Sequence, residues 1–240
     1  MKQKTLIGVL FLLSSTINSL AQSILKPGDP LIKTDWLQSS HDFYRNVITD
    51  TTGKLKYDFM MENICTVDTA RGLISFARFR QVPVGNFSTD TSITDLNFKP
   101  VRMHEVHEQK QKAVEMVFDA QKVIVKKISN GKSIVQSYPM EPGYFEDNMI
   151  EYIFGCLQLE RGKTYILNNF NTATHGNDPF MLKYEFEDTL VPAADLKIIC
   201  SVLQFTHGAT SGYIWIDKNS HKILKTLGRS KGYNYILTRQ

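Results

Sequence analysis

The sequence has few cysteines: Cys65, Cys156 and Cys200 in 240 residues. Three thiols allow one bridge and leave one over, so a disulfide-stapled scaffold is not indicated. Each has an apolar neighbour (Ile64, Leu157, Ile199), which predicts three buried thiols acting as small hydrophobes. There is no C-x-x-C pair, no phosphate-binding glycine loop and no dinucleotide fingerprint. An excess of one charge is missing too. Lys and Arg total 28 against 24 Asp and Glu, and Lys2 and Lys4 belong to a leader, so the rest carries +2. That balance gives no electrostatic case for nucleic acid. The densest basic stretch, Lys122 to Lys132, reads as a solvated strand pair.

Long apolar runs are also absent. The run Leu6 to Leu13 is too short for a spanning helix, which takes roughly 20 residues. It follows Met1-Lys2-Gln3-Lys4 and precedes Ser14, Ser15, Thr16 and Asn18. Ser19-Leu20-Ala21 fits a small-x-small cleavage site. Residues 1–21 therefore read as a secretory signal cut after Ala21, and the expected location is periplasmic or extracellular. No later segment reaches transmembrane length, and no C-terminal anchor is expected.

What fills the chain is short alternating runs between turn residues. In Phe180-Met181-Leu182-Lys183-Tyr184-Glu185-Phe186-Glu187 the even positions are apolar and the odd ones mostly charged, the period of a strand with one wet face. Thr51-Thr52-Gly53, Asn130-Gly131, Asp217-Lys218-Asn219-Ser220 and Arg229-Ser230-Lys231-Gly232 supply turns. Strands are predicted at 41–49, 55–64, 71–80, 86–93, 100–108, 112–119, 122–129, 163–170, 179–187, 195–206, 211–217, 222–229 and 232–238. Short loops make sequence neighbours sheet neighbours. In 146–159, Met149, Ile150, Ile153, Phe154 and Leu157 form a helical stripe, which predicts one helix packed across the sheet. Residues 22–40 read as an irregular leader, with a helical turn conceivable at 34–40, and 41–240 as one antiparallel β domain.

Several late strands are apolar on both faces, and such strands need cover on both sides. A curved sheet with surplus apolar surface is a usual site for a hydrophobe. The expected ligand contacts are Phe180, Leu182, Tyr184, Phe186, Tyr213, Trp215, Tyr233 and Tyr235. A self-filled core is the other reading of the same pattern.

Chemical motifs fail in context. His104 and His107 are three apart in a predicted strand, so their side chains diverge. His175 and Asp178 lie in a turn-rich loop without an evident nucleophile. Gly208 to Gly212 joins two strands, unlike a nucleophile elbow. No catalytic residue, metal ligand or cofactor is expected.

A family resemblance rests on several stretches. They are Asn97-Phe98-Lys99-Pro100-Val101-Arg102, Met116-Val117-Phe118-Asp119, the helix Glu146 to Leu159, and Leu159-Glu160-Arg161-Gly162-Lys163-Thr164-Tyr165. The series closes with Gly212-Tyr213-Ile214-Trp215-Ile216-Asp217-Lys218 and His221-Lys222-Ile223-Leu224-Lys225. In this layout the chain resembles the DUF3108 family of secreted proteins of unknown function. That family looks like a wider group of periplasmic half-barrels that includes carriers of lipids and lipoproteins. The resemblance implies a mainly β fold: a strongly curved antiparallel sheet of about a dozen strands, with one helix packed against it. Trp215 and Asp217 are the family-marking positions it suggests, with a structural role in the closing hairpin.

The expected function is non-enzymatic binding of a hydrophobic ligand, a lipid or a cell-envelope protein. The alternative is a structural or protein-interaction module with a solid core. A transmembrane β-barrel is disfavoured because Lys126-Lys127 and the Lys222/Lys225 pair put charge on both strand faces. A hydrolase using dispersed carboxylates or His175 ranks last.

Overall fold

The computed structural model describes residues 22–82, 86–141, 143–171, 174–193 and 196–240; the expected signal segment lies outside them. The first half holds β1 (Gln22–Leu25), β2 (Ser40–Asp50), β3 (Leu55–Asp68), β4 (Leu73–Val82), β5 (Asn86–Asp95), β6 (Pro100–His107), β7 (Lys112–Phe118), β8 (Lys122–Ser129) and β9 (Lys132–Pro139). Next come β10 (Phe145–Glu146) and α1 (Ile150–Gly155). The second half holds β11 (Thr164–Leu167), β12 (Asn169–Asn171), β13 (Gly176–Asn177), β14 (Phe180–Ala193), β15 (Leu196–His207), β16 (Thr210–Asp217), β17 (Ile223–Ser230) and β18 (Tyr233–Arg239).

Fifteen strands form one sheet in the order β1-β11-β14-β15-β16-β17-β18-β2-β3-β4-β5-β6-β7-β8-β9. It consists of two hairpin-linked meanders, which meet where β18 pairs with β2 from Tyr233↔Asp50 to Arg239↔Tyr44. The sheet is mixed, because β1 runs parallel to β11. It does not close: β1 and β9 are its edges. Near this gap sits the small sheet β10-β12-β13. Its Phe170 packs with Met103 and Met116 and meets the Phe118 ring edge-on at 6.0 Å.

The core shows that the sheet curls. Ile150, Ile153 and Phe154 of the short α1 share one buried cluster with Cys65 and Phe76 from one meander and Leu203 and Ile214 from the other. Strands so far apart in sheet order share one core only if the sheet wraps around the helix. Twist makes such wrapping the ordinary outcome beyond roughly ten strands.

Several expectations are corrected. The helix is shorter than 146–159. A 3-10 turn at Asp147–Met149, capped by the Glu146 carboxylate accepting the Asn148 N–H at 3.1 Å, leads into α1. The chain leaves the helix after Gly155 because another segment needs the space. A Cβ on Gly155 would lie 2.0 Å from the His221 carbonyl oxygen. Leu157 then makes an extended bridge with Ile32. All five stripe residues are nevertheless buried, Leu157 at 2% exposure being the most accessible. The leader is not irregular throughout, since it contains β1 and a 3-10 turn at Thr34–Trp36, and it adds Leu25 and Ile32 to the core. Strand β9 is additional to the predicted set. Among the described residues no helix is long and apolar enough to cross a membrane.

This packing predicts a stability hierarchy. Phe154→Ala empties a site 1% exposed and should cost about 3–5 kcal/mol in denaturant unfolding. Gly155→Ala should cost about 1–3 kcal/mol by forcing the His221 turn away. Ile236→Ala, at 42% exposure, should cost under about 1 kcal/mol. Equal losses at all three sites would contradict a helix-centred core.

Candidate functional site

An opening lies beside α1, lined by Asp35 to Gln38 of the segment that leads into β2 and by Ser40 at the start of that strand. Asp217 shapes the β16–β17 turn by accepting the N–H groups of Asn219 at 3.0 Å and Ser220 at 3.3 Å. That turn holds His221 in the left-handed region at φ 57°. The His221 ring stacks on Trp36 with centroids 4.1 Å apart and planes 13° apart. Trp36 and His221 line two hollows, of about 370 and 270 Å³, and so stand as a partition between them. The larger lies within the range of small-ligand pockets, roughly 300–1,000 Å³.

The larger cleft is amphipathic. Leu37, Ile223, Leu237 and the Trp36, Tyr44 and Tyr152 rings give it apolar walls. Its polar floor is Asp42, 4% exposed, which accepts from Lys222 at 3.0 Å and Arg239 at 2.5 Å. Burial pushes the Asp42 carboxyl up, but hydrogen bonds from Ser40, Lys222 and Arg239 outweigh it and hold the group below the usual carboxylate range. On the helix side Glu151 accepts from Arg78 at 2.5 Å. Tyr44 donates its hydroxyl to the Ile223 carbonyl at 3.2 Å, and burial raises its pKa. Asp42 is thus matched by two cations, and the Lys222–Asp42–Arg239 group keeps one positive charge.

The residues expected to share a ligand face are divided. Leu182 and Tyr184 join the inner core, and Phe180 and Tyr235 pack against it. Only Tyr184 of the eight lines either hollow, and it is the smaller one. Phe186, Tyr213 and Trp215 face the other way. For Phe186 the cause is a bulge at Glu185: Tyr184 pairs with Leu203 but Phe186 with Val202, so the alternation reverses there, whereas Tyr213 and Trp215 simply alternate with the inward Ile214 and Ile216 of β16. Trp215 packs in a separate outer cluster with Cys200 and Val202 and donates to Asp188 at 2.9 Å, with the Lys225 ammonium 5.0 Å from its ring centre. Tyr233, the first residue of β18, is 37% exposed. Sequence reasoning missed Trp36, Asp42, Lys222 and Arg239, whose proximity depends on the β18–β2 seam. The signal available was Trp36 in a segment read only as leader.

The rejected motifs also have clear places. His107 reaches Glu105 on its own strand at 2.7 Å. His104, one residue before Glu105 in β6, faces the opposite side. Asp178 meets His207 at 3.0 Å, whereas His175 stacks on Tyr138 at 4.6 Å. Gly208 and Ala209 form the β15–β16 turn. Among the described residues no group of His, Cys, Asp and Glu has a metal-holding arrangement. All three cysteines are free and buried. Burial pushes the Cys65 and Cys156 thiols up to about 12 and Cys200 to about 11, which keeps them protonated and unreactive.

The inner face of the other meander carries buried polar groups among its apolar residues. Asn63, Asp90 and Ser92 are almost fully buried there, and Arg80 pairs with Asp90. Glu146, 1% exposed, hydrogen-bonds through Oε1 to Asn148, while its Oε2 has no partner. Burial raises its pKa to about 7.

Taken together, the fold is a barrel-like, open β sheet wrapped around its own short helix, with a lateral cleft. Residues 48–230 match DUF3108, described as a protein of unknown function, and the chain belongs to that family. A similar solved structure is a beta-barrel-like protein of the domain of unknown function DUF1849 from Brucella abortus. It is 11% identical, with a TM-score of 0.57 over 85% of this chain and 96% of that one. At that identity the likeness shows the fold. No curated protein matches.

Glu146 makes stability depend on pH in a defined direction. Its folded pKa of about 7 lies above the usual 4.5. Between those values the unfolded chain releases a proton that the folded one keeps, so stability falls as pH rises. Glu146→Gln should therefore gain on the wild type through that window, by about 3 kcal/mol at pH 8 and little at pH 4. Parallel curves of unfolding free energy against pH would rule out a buried, titrating Glu146.

Proposed function

We propose that the chain is an exported, non-enzymatic binding protein, and that the cleft beside Trp36 takes a small amphipathic ligand such as a single-chain lipid. Leu37, Ile223, Leu237 and the Tyr152 ring face its apolar part. Lys222, Asp42 and Asn63 meet its polar end, with Arg239 holding Asp42 from behind. The observation that carries this reading is the cleft itself: rings and aliphatic side chains around a floor of ion-paired groups, in a volume of about 370 Å³. A sealed core would leave no such volume beside the helix. Export rests on the signal-like leader. The absence of enzymatic chemistry rests on protonated thiols and on charged groups engaged with one another.

A second reading has its own support. The concave face expected to hold a ligand is occupied by α1, with Phe154 and Ile153 fully buried. On that reading the protein is a solid-core interaction module, and the cleft is only a surface depression.

Trp36 and Trp215 are the two tryptophans, so Trp215→Phe leaves a single fluorophore in the cleft. Titration of that variant with a fatty acid or a lysophospholipid should change Trp36 emission saturably. It should also raise the thermal midpoint, with a stabilisation of about 2.7 kcal/mol at a hundredfold excess over Kd. Leu237→Asp should abolish both responses. No emission change and no thermal shift, together with lipid-free protein in native mass spectrometry from its own cells, would favour the solid-core module.

A further inference from the structure

Strand β9 is bonded to the sheet on one side only, next to β8. The turn between them is Asn130-Gly131, with φ of 49° and 75°, the left-handed pair that closes a two-residue hairpin. The register runs from Ser129↔Lys132 to Lys122↔Pro139 without a bulge. The ladder continues with the Met140 N–H donating to the Gln121 carbonyl at 2.9 Å. By the alternation of an antiparallel pair, even residues of β9 then bond to β8. Ser133, Val135 and Ser137 turn their N–H and C=O groups to the open side. Pro139, which has no N–H, ends this free edge.

Among the described residues, nothing covers either face of the middle of this edge. Ile134 on one face is 63% exposed and Val135 on the other 62%, the highest values among the exposed large hydrophobic residues. Native edges are commonly blunted by a charge in the strand interior, a proline, a bulge or a covering element. Ser133 to Tyr138 has no charge, proline or bulge. Covering is confined to the far end, where Tyr138 stacks on His175.

Charge identifies the kind of occupant. Residues 121–140 contain Lys122, Lys126, Lys127 and Lys132 and no Asp or Glu. Lys126 lies opposite Glu115, but Arg102 already holds that carboxylate, so the hairpin keeps a positive field. A second copy pairing edge to edge would bring eight such lysines together, which opposes self-association. We propose that β9 is a docking strand that accepts an extended acidic segment of a partner protein as a sixteenth strand. Backbone bonds to Ser133, Val135 and Ser137 would supply register. Alternate apolar side chains would cover Ile134 and Val135, and acids would meet the lysines. This surface is separate from the Trp36 cleft, and its test leaves the ligand reading untouched.

The test uses the processed chain and a fluorescent acidic peptide of alternating glutamate and valine, followed by anisotropy. Saturable binding is expected, weakening roughly tenfold or more from low to high salt. Hydrogen exchange should slow at Ser133, Val135 and Ser137. Val135→Pro removes an outward N–H and leaves the bonds to β8 in place. It should weaken binding at least tenfold with the thermal midpoint nearly unchanged. The Lys126→Glu, Lys127→Glu double variant keeps the edge backbone and should also lose binding, which retains a test if the proline variant misfolds. The proposal is overturned by no binding up to about millimolar peptide, or by binding indifferent to the lysine variant. It is equally overturned if Val135→Pro abolishes a dimer of the free protein, or if anionic vesicles, and not the peptide, protect the β9 amides.

Discussion

The structure depends on one steric and hydrophobic constraint: a sheet of fifteen strands must cover its own concave face. The chain meets this with a six-residue helix and the segment that leads into it. Phe154, Ile153 and Met149 remove apolar surface of both meanders from water at once, so curvature and helix docking are a single event. The cost falls on Gly155, where the helix approaches the His221 backbone too closely for any side chain. That approach fixes the β16–β17 turn, and the turn places His221 against Trp36. The wall of the cleft is therefore a consequence of how the core is filled.

The two meanders fill their inner faces differently. The second gives Leu182, Leu203, Phe205 and Ile214, an apolar surface that packs directly on α1. The first gives Asp42, Asn63, Arg78, Asp90 and Ser92 among its apolar residues. Buried charge is tolerated only with partners, and here they come from other elements: Glu151 for Arg78, Lys222 and Arg239 for Asp42. The electrostatic pairs thus tie helix to sheet and one meander to the other. Glu146 lacks such a cation within hydrogen-bonding distance, and burial therefore favours its neutral form.

Much of this was legible in sequence, for identifiable reasons. Turn residues and period-two runs located the long strands, since both signals are local. The helical stripe identified the buried face of 149–157, although not the helix end, which is set by a contact with His221 more than sixty residues away. The Phe180-to-Phe186 pattern misled because one bulged residue, Glu185, inverts the faces beyond it. Strand β9 was not predicted because an edge strand exposed on both faces has no reason to alternate. The leader concealed β1, a parallel strand whose partner β11 lies about 140 residues on. The cleft was least legible, since it joins Trp36, Asp42, Tyr152 and Lys222 across separate elements.

The β18–β2 seam explains why these distant residues meet. In a chain of hairpins each strand is placed by its predecessor, except where the two meanders join. There the last strand must find the first strand of the other meander by side-chain complementarity. Arg239, opposite Tyr44 in the register, reaches diagonally across that seam to Asp42, and Lys222 closes on the same carboxylate from the β16–β17 turn. Tyr44, Met61 and Leu237 form a small apolar cluster beside them. Closure of the seam and assembly of the cleft floor are consequently the same contact. Any ligand bound on that floor would, by the same geometry, stabilise the joint on which the continuity of the sheet depends.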